Sequence, residues 1–542
     1  MEMVFSIFHE HHKKEVVRMN DVTPGKDKNP ELLNVTSWFL DENISKGRGK
    51  RVAIYYRNKK FTFHDICELT NKVGNVFKEL GVEIENRIYL VLGDSPELVA
   101  AFYGAMKIGA VPTLAYTYLS PEDYEYEINY IKPKLVVADK LCIERIRKAI
   151  QSTRFPKAIL ISGLSRSGLK NGEHDFDGFV SRASDQLEAE TTSREDIALW
   201  KFSGGTTGHR KGIPHRHHDP VWAFEAFNKA ICYSEDDVVL SVPKMFFGYG
   251  RDGTIVFPFR VGAAAVLFPE RTTVKKIFEL IAQFQPTILV QVPTMMRKML
   301  QTPKDERPDL RCIRVCTSGG EALSAELYHE WKNHFGCEVL NQIGSGEMYY
   351  AYITNRLNDV VPGSLGKVTP GFKAKIVNDE GLELPDGEIG VLMARGECAG
   401  LQYWQDSVKS RQTFRGEWVY TDDLFKRDRQ GNFYFCGRRD DLLKVSGVFV
   451  SPQEIEECLQ THPDVAECAV IGVTDKDGLD KTKAFIVLRD GVNPSKVIGE
   501  DLKNYAKEIL SPYKYPRLVE FIEELPKTGL GKTDRRRLLK QK

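Results

Sequence analysis

The chain has 542 residues, too many for one ordinary hydrophobic core, so two or more domains are expected. Its 42% apolar and 28% charged residues are ordinary globular usage, and a formal charge of +1 excludes a broad basic field for nucleic acid or an anionic membrane. No stretch approaches the roughly 20 apolar residues of a membrane span. The first residues carry His9, His11 and His12 where a signal peptide needs an apolar run, and read as a loose terminal segment. Ten cysteines form no C-x-x-C pair, so neither a zinc site nor a disulfide framework is expected, and a cytoplasmic protein with free thiols is.

In chain order, Ile197–Phe202 reads as a strand leading into a glycine-rich loop. Val274, Ile277, Phe278, Ile281 and Phe284 fall at helical spacing, and Pro286 ends that helix. Thr287–Val292, Cys312–Thr317 and Val339–Gln342 read as buried strands, with a helix over Ala325–Phe335 stopped by Gly336. This alternation predicts an α/β fold with layered subdomains and parallel strands. From about residue 363 to 436 short alternating segments separated by Asp379-Glu-Gly381 and Pro385-Asp-Gly387 predict a β-rich subdomain. Beyond it come a hairpin, a helix over Pro452–Gln460 and strands at Ala466–Val473 and Lys483–Leu488. The expected organisation is an N-terminal domain over 1–439 and a smaller, mobile α+β C-terminal domain over 440–542.

The most informative segment is Phe202-Ser-Gly-Gly-Thr-Thr-Gly-His-Arg-Lys-Gly212. Glycines let backbone N–H groups approach an anion, and hydroxyls and a lysine add donors, a composition suited to polyphosphate. It is not a Walker A loop, because Gly212 follows Lys211. The segment resembles the phosphate loop of the adenylate-forming superfamily: acyl-CoA synthetases, luciferases and peptide-synthetase adenylation domains. The resemblance continues in order through Ser318-Gly-Gly-Glu-Ala322, Asn341-Gln-Ile-Gly-Ser-Gly-Glu347, Tyr420-Thr-Asp-Asp423, Gly437-Arg-Arg-Asp-Asp-Leu-Leu-Lys-Val-Ser-Gly447 and Pro526-Lys-Thr-Gly-Leu-Gly-Lys532. Lys244-Met-Phe-Phe-Gly-Tyr-Gly250, Gly447-Val-Phe-Val-Ser-Pro452 and Tyr513-Lys-Tyr-Pro-Arg517 are similar to benzoate–CoA ligases within that superfamily.

The resemblance implies an AMP-forming acid–thiol ligase using ATP, Mg²⁺ and coenzyme A, with no nucleic-acid or membrane partner, as a monomer or homodimer. It places ATP against Ser203, Gly204, Gly205, Thr206, Thr207, Gly208, Lys211, Gly320, Glu321, Asn341, Gln342, Ile343, Asp423 and Arg438. Lys532, Thr206 and Glu347 are the implied catalytic groups, Glu347 holding Mg²⁺. Phe247, Gly248, Tyr249, Gly320, Ile343, Gly344, Tyr350 and Ala351 are the implied acyl pocket. Asp440 is the implied hinge, and Lys444, Ser446 and Gly447 the side where the thioester forms. His215, His217 and Asp219 imply a structural role rather than a metal site.

Several residues depart from the pattern. Gly204 stands for a usual serine, Arg210 for proline or an aliphatic residue, Gly346 for a phosphate-binding threonine, and Asp422 for a glycine. Arg251 and Asp252 are unexpected beside the acyl pocket. Gly248 and Ala351 suggest a roomier pocket than a strict benzoate site, and Tyr350 refills part of it. The expected substrate is therefore an aromatic or alicyclic acid. The alternatives are a medium-chain or branched fatty acid, a carrier-protein acceptor in place of coenzyme A, or a binding protein without turnover.

Overall fold

The computed structural model describes residues 31–203, 210–439, 443–445, 448–450, 452–474, 480–510, 515–527 and 533–540. The histidines near the N-terminus, Gly204, Gly205, Thr206, Thr207, Gly208, Asp440, Ser446, Gly447 and Lys532 lie outside the described residues.

Two layered sheets carry the large N-terminal part. One is five-stranded and parallel, ordered Val111–Leu114, Arg87–Val91, Leu135–Asp139, Ala158–Ser162 and Glu173–Asp175. The other is nine-stranded, with a parallel centre containing Val238–Ser241, Ile288–Gln291, Val315–Ser318 and Glu338–Gly344. Its edges are antiparallel: Lys59–Thr62 on one side, Ala351–Thr354 and Lys367–Val368 on the other.

The intervening helices follow from local chemistry. Thr273 caps Val274–Phe284 by accepting from the Lys276 N–H, and Gln285 closes it at φ 48° before Pro286. That helix buries Ile277, Phe278, Leu280 and Ile281, each worth about 1.5–3 kcal/mol of apolar burial. Ser324 caps Ala325–Phe335, and Gly336 ends it at φ 72°. The strand expected from Cys312 starts only at Val315, because the Ile313 N–H closes a turn onto the Leu310 carbonyl.

The β-rich unit is an antiparallel sheet of Lys373–Val377, Gly390–Arg395, Phe414–Arg415, Trp418–Arg427 and Phe433–Arg438. The strand Lys367–Val368 pairs instead with Ala351–Thr354, so residues just after Gly363 complete the large sheet. Towards the C-terminus, Val465–Thr474, Asp480–Leu488 and Leu518–Phe521 form a sheet beside helices Pro452–Gln460 and Lys496–Ile509. Ile455, Leu459, Val470, Ile486 and Leu502 give these elements a core of their own. Among the described residues no helix is long and apolar enough to cross a membrane.

Candidate active site

The glycine-rich loop is carried by a hairpin of Ile197–Ser203 and Lys211–Arg216, with Ser203 paired to Lys211 across its mouth. Arg210, at the loop's far end, is turned inward onto Glu127. Its Nε donates to Glu127 Oε1 at 2.8 Å and a second guanidinium nitrogen reaches the same oxygen. Tyr89 donates to Glu127 Oε2 at 2.5 Å, so the carboxylate is fully used. The departure at Arg210 is thus a charge neutralised inside the protein. Lys211 lies over the Tyr403 ring, 5.0 Å from its centroid, with its Nζ 3.3 Å from Asp406 Oδ2.

Opposite the hairpin, strand Glu338–Gly344 runs into a turn that presents Glu347. The Tyr403 hydroxyl donates to Glu347 Oε1 at 2.7 Å, and the Glu347 carbonyl accepts from Gly400 N–H at 2.8 Å. Burial and the neighbouring Glu347 carboxylate push the Tyr403 phenol up, so it stays a donor. His215 fixes the same turn. Its Nε2 donates to the Gly346 carbonyl at 2.7 Å, while Nδ1 pairs with buried Asp219 at 2.8 Å. His217 Nδ1 accepts from Val35 N–H at 3.1 Å, and burial lowers its pKa to about 4. Both histidines are therefore engaged by partners inside the protein. A Cβ at Gly346 would stand 3.7 Å from the Ser203 Cβ and 3.0 Å from Ile213 Cδ1, so the hairpin already crowds the place of the missing threonine.

Among the described residues no group of three metal-ligating side chains occurs. A single carboxylate held beside the Ile197–Ser203 and Lys211–Arg216 hairpin fits Mg²⁺, which takes few protein ligands and completes its shell with substrate oxygens and water.

Asn341 Nδ2 donates to the Ser364 carbonyl at 3.1 Å, while its Oδ1 is buried with no hydrogen-bond partner. That orphan acceptor fits an incoming amine such as that of adenine. Gly320 holds φ 81°, with nothing within 4 Å of where a Cβ would be, and so exposes backbone to an open space. Glu321, expected on the nucleotide, is instead turned to the first turn of helix Pro293–Gln301. It accepts from the Thr294 N–H at 2.9 Å and its hydroxyl at 2.7 Å. Asp423 sits opposite Arg438 in the sheet, its Oδ1 3.2 Å from Arg438 Nε. Asp422 adopts φ 60°, which explains the glycine usual there. Aspartate tolerates this region, and Lys409 holds its carboxylate at 2.8 Å.

Of the expected acyl residues, Tyr249 and Tyr350 share an aromatic cluster with Phe227 and Phe257, whereas Phe247 packs on Phe246. The Tyr350 ring meets Phe227 at 4.9 Å, Phe257 at 4.7 Å and Tyr249 at 6.0 Å between centroids. The Tyr249 hydroxyl pairs with Thr317 Oγ1 at 2.8 Å. Ile343 packs beside this cluster, and Gly344 is required, since a Cβ there would stand 2.6 Å from the Tyr350 carbonyl oxygen. Ala351 is buried in the adjoining strand. Gly248 does not enlarge the pocket as the sequence suggested. A Cβ there would meet Lys201 Nζ at 3.0 Å, so the buried lysine takes that space. The sequence reading passed over Lys201, Glu127 and Tyr403, because no linear motif marks any of them.

The chain as a whole is similar to known proteins. Residues 40–404 match the AMP-binding enzyme family and residues 454–532 the AMP-binding enzyme C-terminal domain. The chain belongs to the AMP-binding enzyme family, as an adenylate-forming acid–CoA ligase close to the benzoate–CoA ligases. It is 37% identical over 500 residues to a 4-hydroxybenzoate–CoA/benzoate–CoA ligase of Rhodopseudomonas palustris, covering 92% of each chain. The anthranilate CoA ligase AuaEII, solved with anthranoyl-AMP, superposes with a TM-score of 0.88 at 35% identity, covering 95% of this chain and 98% of that one. A benzoate CoA ligase from Burkholderia xenovorans LB400 gives 0.85 at 35% identity, covering 94% and 100%.

Proposed function

We propose that the protein activates benzoate or a similar six-membered-ring carboxylic acid with ATP and transfers the acyl group to coenzyme A. The observation that carries this reading is the aromatic wall of Phe227, Tyr249, Phe257 and Tyr350 beside the strand that bears Asn341. It suits a flat, ring-sized apolar group. A carboxylate oxygen leaves poorly, so the acid must first attack the α-phosphorus of ATP, giving acyl-adenylate and pyrophosphate. The two anions repel, and positioning with charge neutralisation supplies the catalysis. Mg²⁺ bound at Glu347 supplies neutralisation of the phosphates. Thr206, Thr207 and the loop N–H groups hold the β- and γ-phosphates. Asn341 takes the adenine amine and Ile343 packs on the ring. Asp423 accepts the ribose hydroxyls, with Arg438 beside it, and Lys532 bridges the carboxylate and α-phosphate.

The test is kcat/KM across benzoate, hydroxybenzoates, cyclohexanecarboxylate, hexanoate and acetate. Ring acids are expected to lead, and several related ones to react, since one methylene is worth only about 1–3 kcal/mol. A preference for acetate or for long linear acids overturns the ring-acid reading.

In this reading the C-terminal domain turns about Asp440 after adenylation, exchanging Lys532 for the Lys444, Ser446 and Gly447 segment where coenzyme A enters. Replacing Gly447 by tryptophan, or Asp440 by proline, is expected to slow thioester formation and leave ATP–pyrophosphate exchange nearly intact. Equal loss of both half-reactions in either variant refutes the two-state assignment.

A further inference from the structure

We propose that Lys201 is a positioning residue that holds the Glu347–Tyr350 turn in its working shape. The proposal rests on the site reading above. Lys201 lies in the strand that leads to the phosphate loop, and its side chain is 3% exposed. Its ammonium donates both to Asp252 Oδ2 and to the Tyr349 carbonyl oxygen, and lies 3.6 Å from the Tyr349 ring centroid. One group thus ties together the phosphate-loop hairpin, the segment after Phe247–Tyr249, and the turn after Glu347.

The turn needs such a tie. Tyr349 holds φ 63°, a region that an aromatic residue rarely adopts and that persists only where the surroundings impose it. This reversal lets Glu347 meet Tyr403 while Tyr350 enters the aromatic wall. The Tyr349 hydroxyl also reaches Asp252 Oδ1 at 3.4 Å, and Arg251 Nε donates to that oxygen at 2.9 Å. Two of the three ammonium N–H groups of Lys201 are committed to Asp252 and Tyr349.

The charged neighbours make the test clean. Lys201 and Arg251 share one carboxylate, Asp252, so removing the lysine leaves a balanced buried pair rather than an orphan charge. Burial, opposed by Asp252 and reinforced by Arg251, lowers the Lys201 pKa to about 8, with Tyr349 and Cys398 as the other titratable groups facing it. The ammonium is charged below that value and loses its proton as pH rises through it.

The experiment is benzoate-dependent ATP–pyrophosphate exchange on the full chain, with thermal unfolding of each variant. Lys201→Met is expected to lower kcat about tenfold or more, with little change in unfolding temperature or in the KM for ATP. Lys201→Gln, whose amide still donates to the Tyr349 carbonyl, is expected to recover part of that loss. The wild type is expected to lose activity above about pH 8, and the Met variant to lack that decline. Wild-type kcat in the Met variant overturns the proposal. So does equal loss in the Met and Gln variants with matching destabilisation, which marks a merely structural lysine. Where the Met variant does not fold, a Gln variant with wild-type kcat and an unchanged pH profile overturns it. A wild-type protein inactive with every acid refutes the proposed function instead.

Discussion

Lys532→Ala is expected to abolish adenylation while sparing thioester formation from supplied acyl-adenylate. The lysine's charge is needed only while the carboxylate attacks the α-phosphorus, where two anions meet and negative charge is redistributed. A compact, mobile ammonium suits that task better than a guanidinium fork. Loss of a transition-state contact of this kind costs roughly a hundredfold or more in rate. The second half-reaction releases AMP and needs no such bridge. Pyrophosphate exchange should therefore collapse, while coenzyme A consumption from synthetic acyl-adenylate stays close to wild type. Comparable damage to both half-reactions contradicts the role given to Lys532.

The largest expected effect on stability comes from Glu127→Gln. Glu127 is 4% exposed and accepts from Arg210 and from Tyr89. The amide keeps an acceptor for Tyr89 but removes the charge that balances Arg210, whose side chain is 14% exposed. Breaking a buried ion pair from one side costs about 3–5 kcal/mol, and the residual exposure of Arg210 places the loss near the lower end. The unfolding temperature should fall by roughly 3–4 °C. Because Arg210 directly follows in sequence the glycine-rich segment to which the proposed function assigns ATP, the KM for ATP should rise in the same variant. The double variant Glu127→Gln, Arg210→Met removes the orphan charge and should recover most of the lost stability. A double variant as unstable as the single one shows that the pair is not what holds this region.

What the sequence determined by itself was carried by short-range chemistry. Thr273 and Ser324 accept from N–H groups three residues on, and Gly336 supplies a left-handed closing residue. These rules act within one turn, so helices Val274–Phe284 and Ala325–Phe335 were legible to the residue. The family itself was legible for another reason: each of its motifs, around Gly205, Asn341, Glu347, Asp423 and Lys532, is contiguous in the chain. Tertiary structure alone decided which side chains those motifs meet. Glu127 and Arg210 are 83 residues apart, Lys201 and Tyr349 148, and Tyr403 and Glu347 56. Neither periodicity nor capping reaches across such separations. The fold sets the Glu321 side chain beside the N–H of Thr294, 27 residues away, a partner that no motif announces. Gly248 was read as free pocket volume, yet a buried lysine from another strand occupies it. A missing side chain is visible in a sequence, but what fills the space is settled only when distant segments pack.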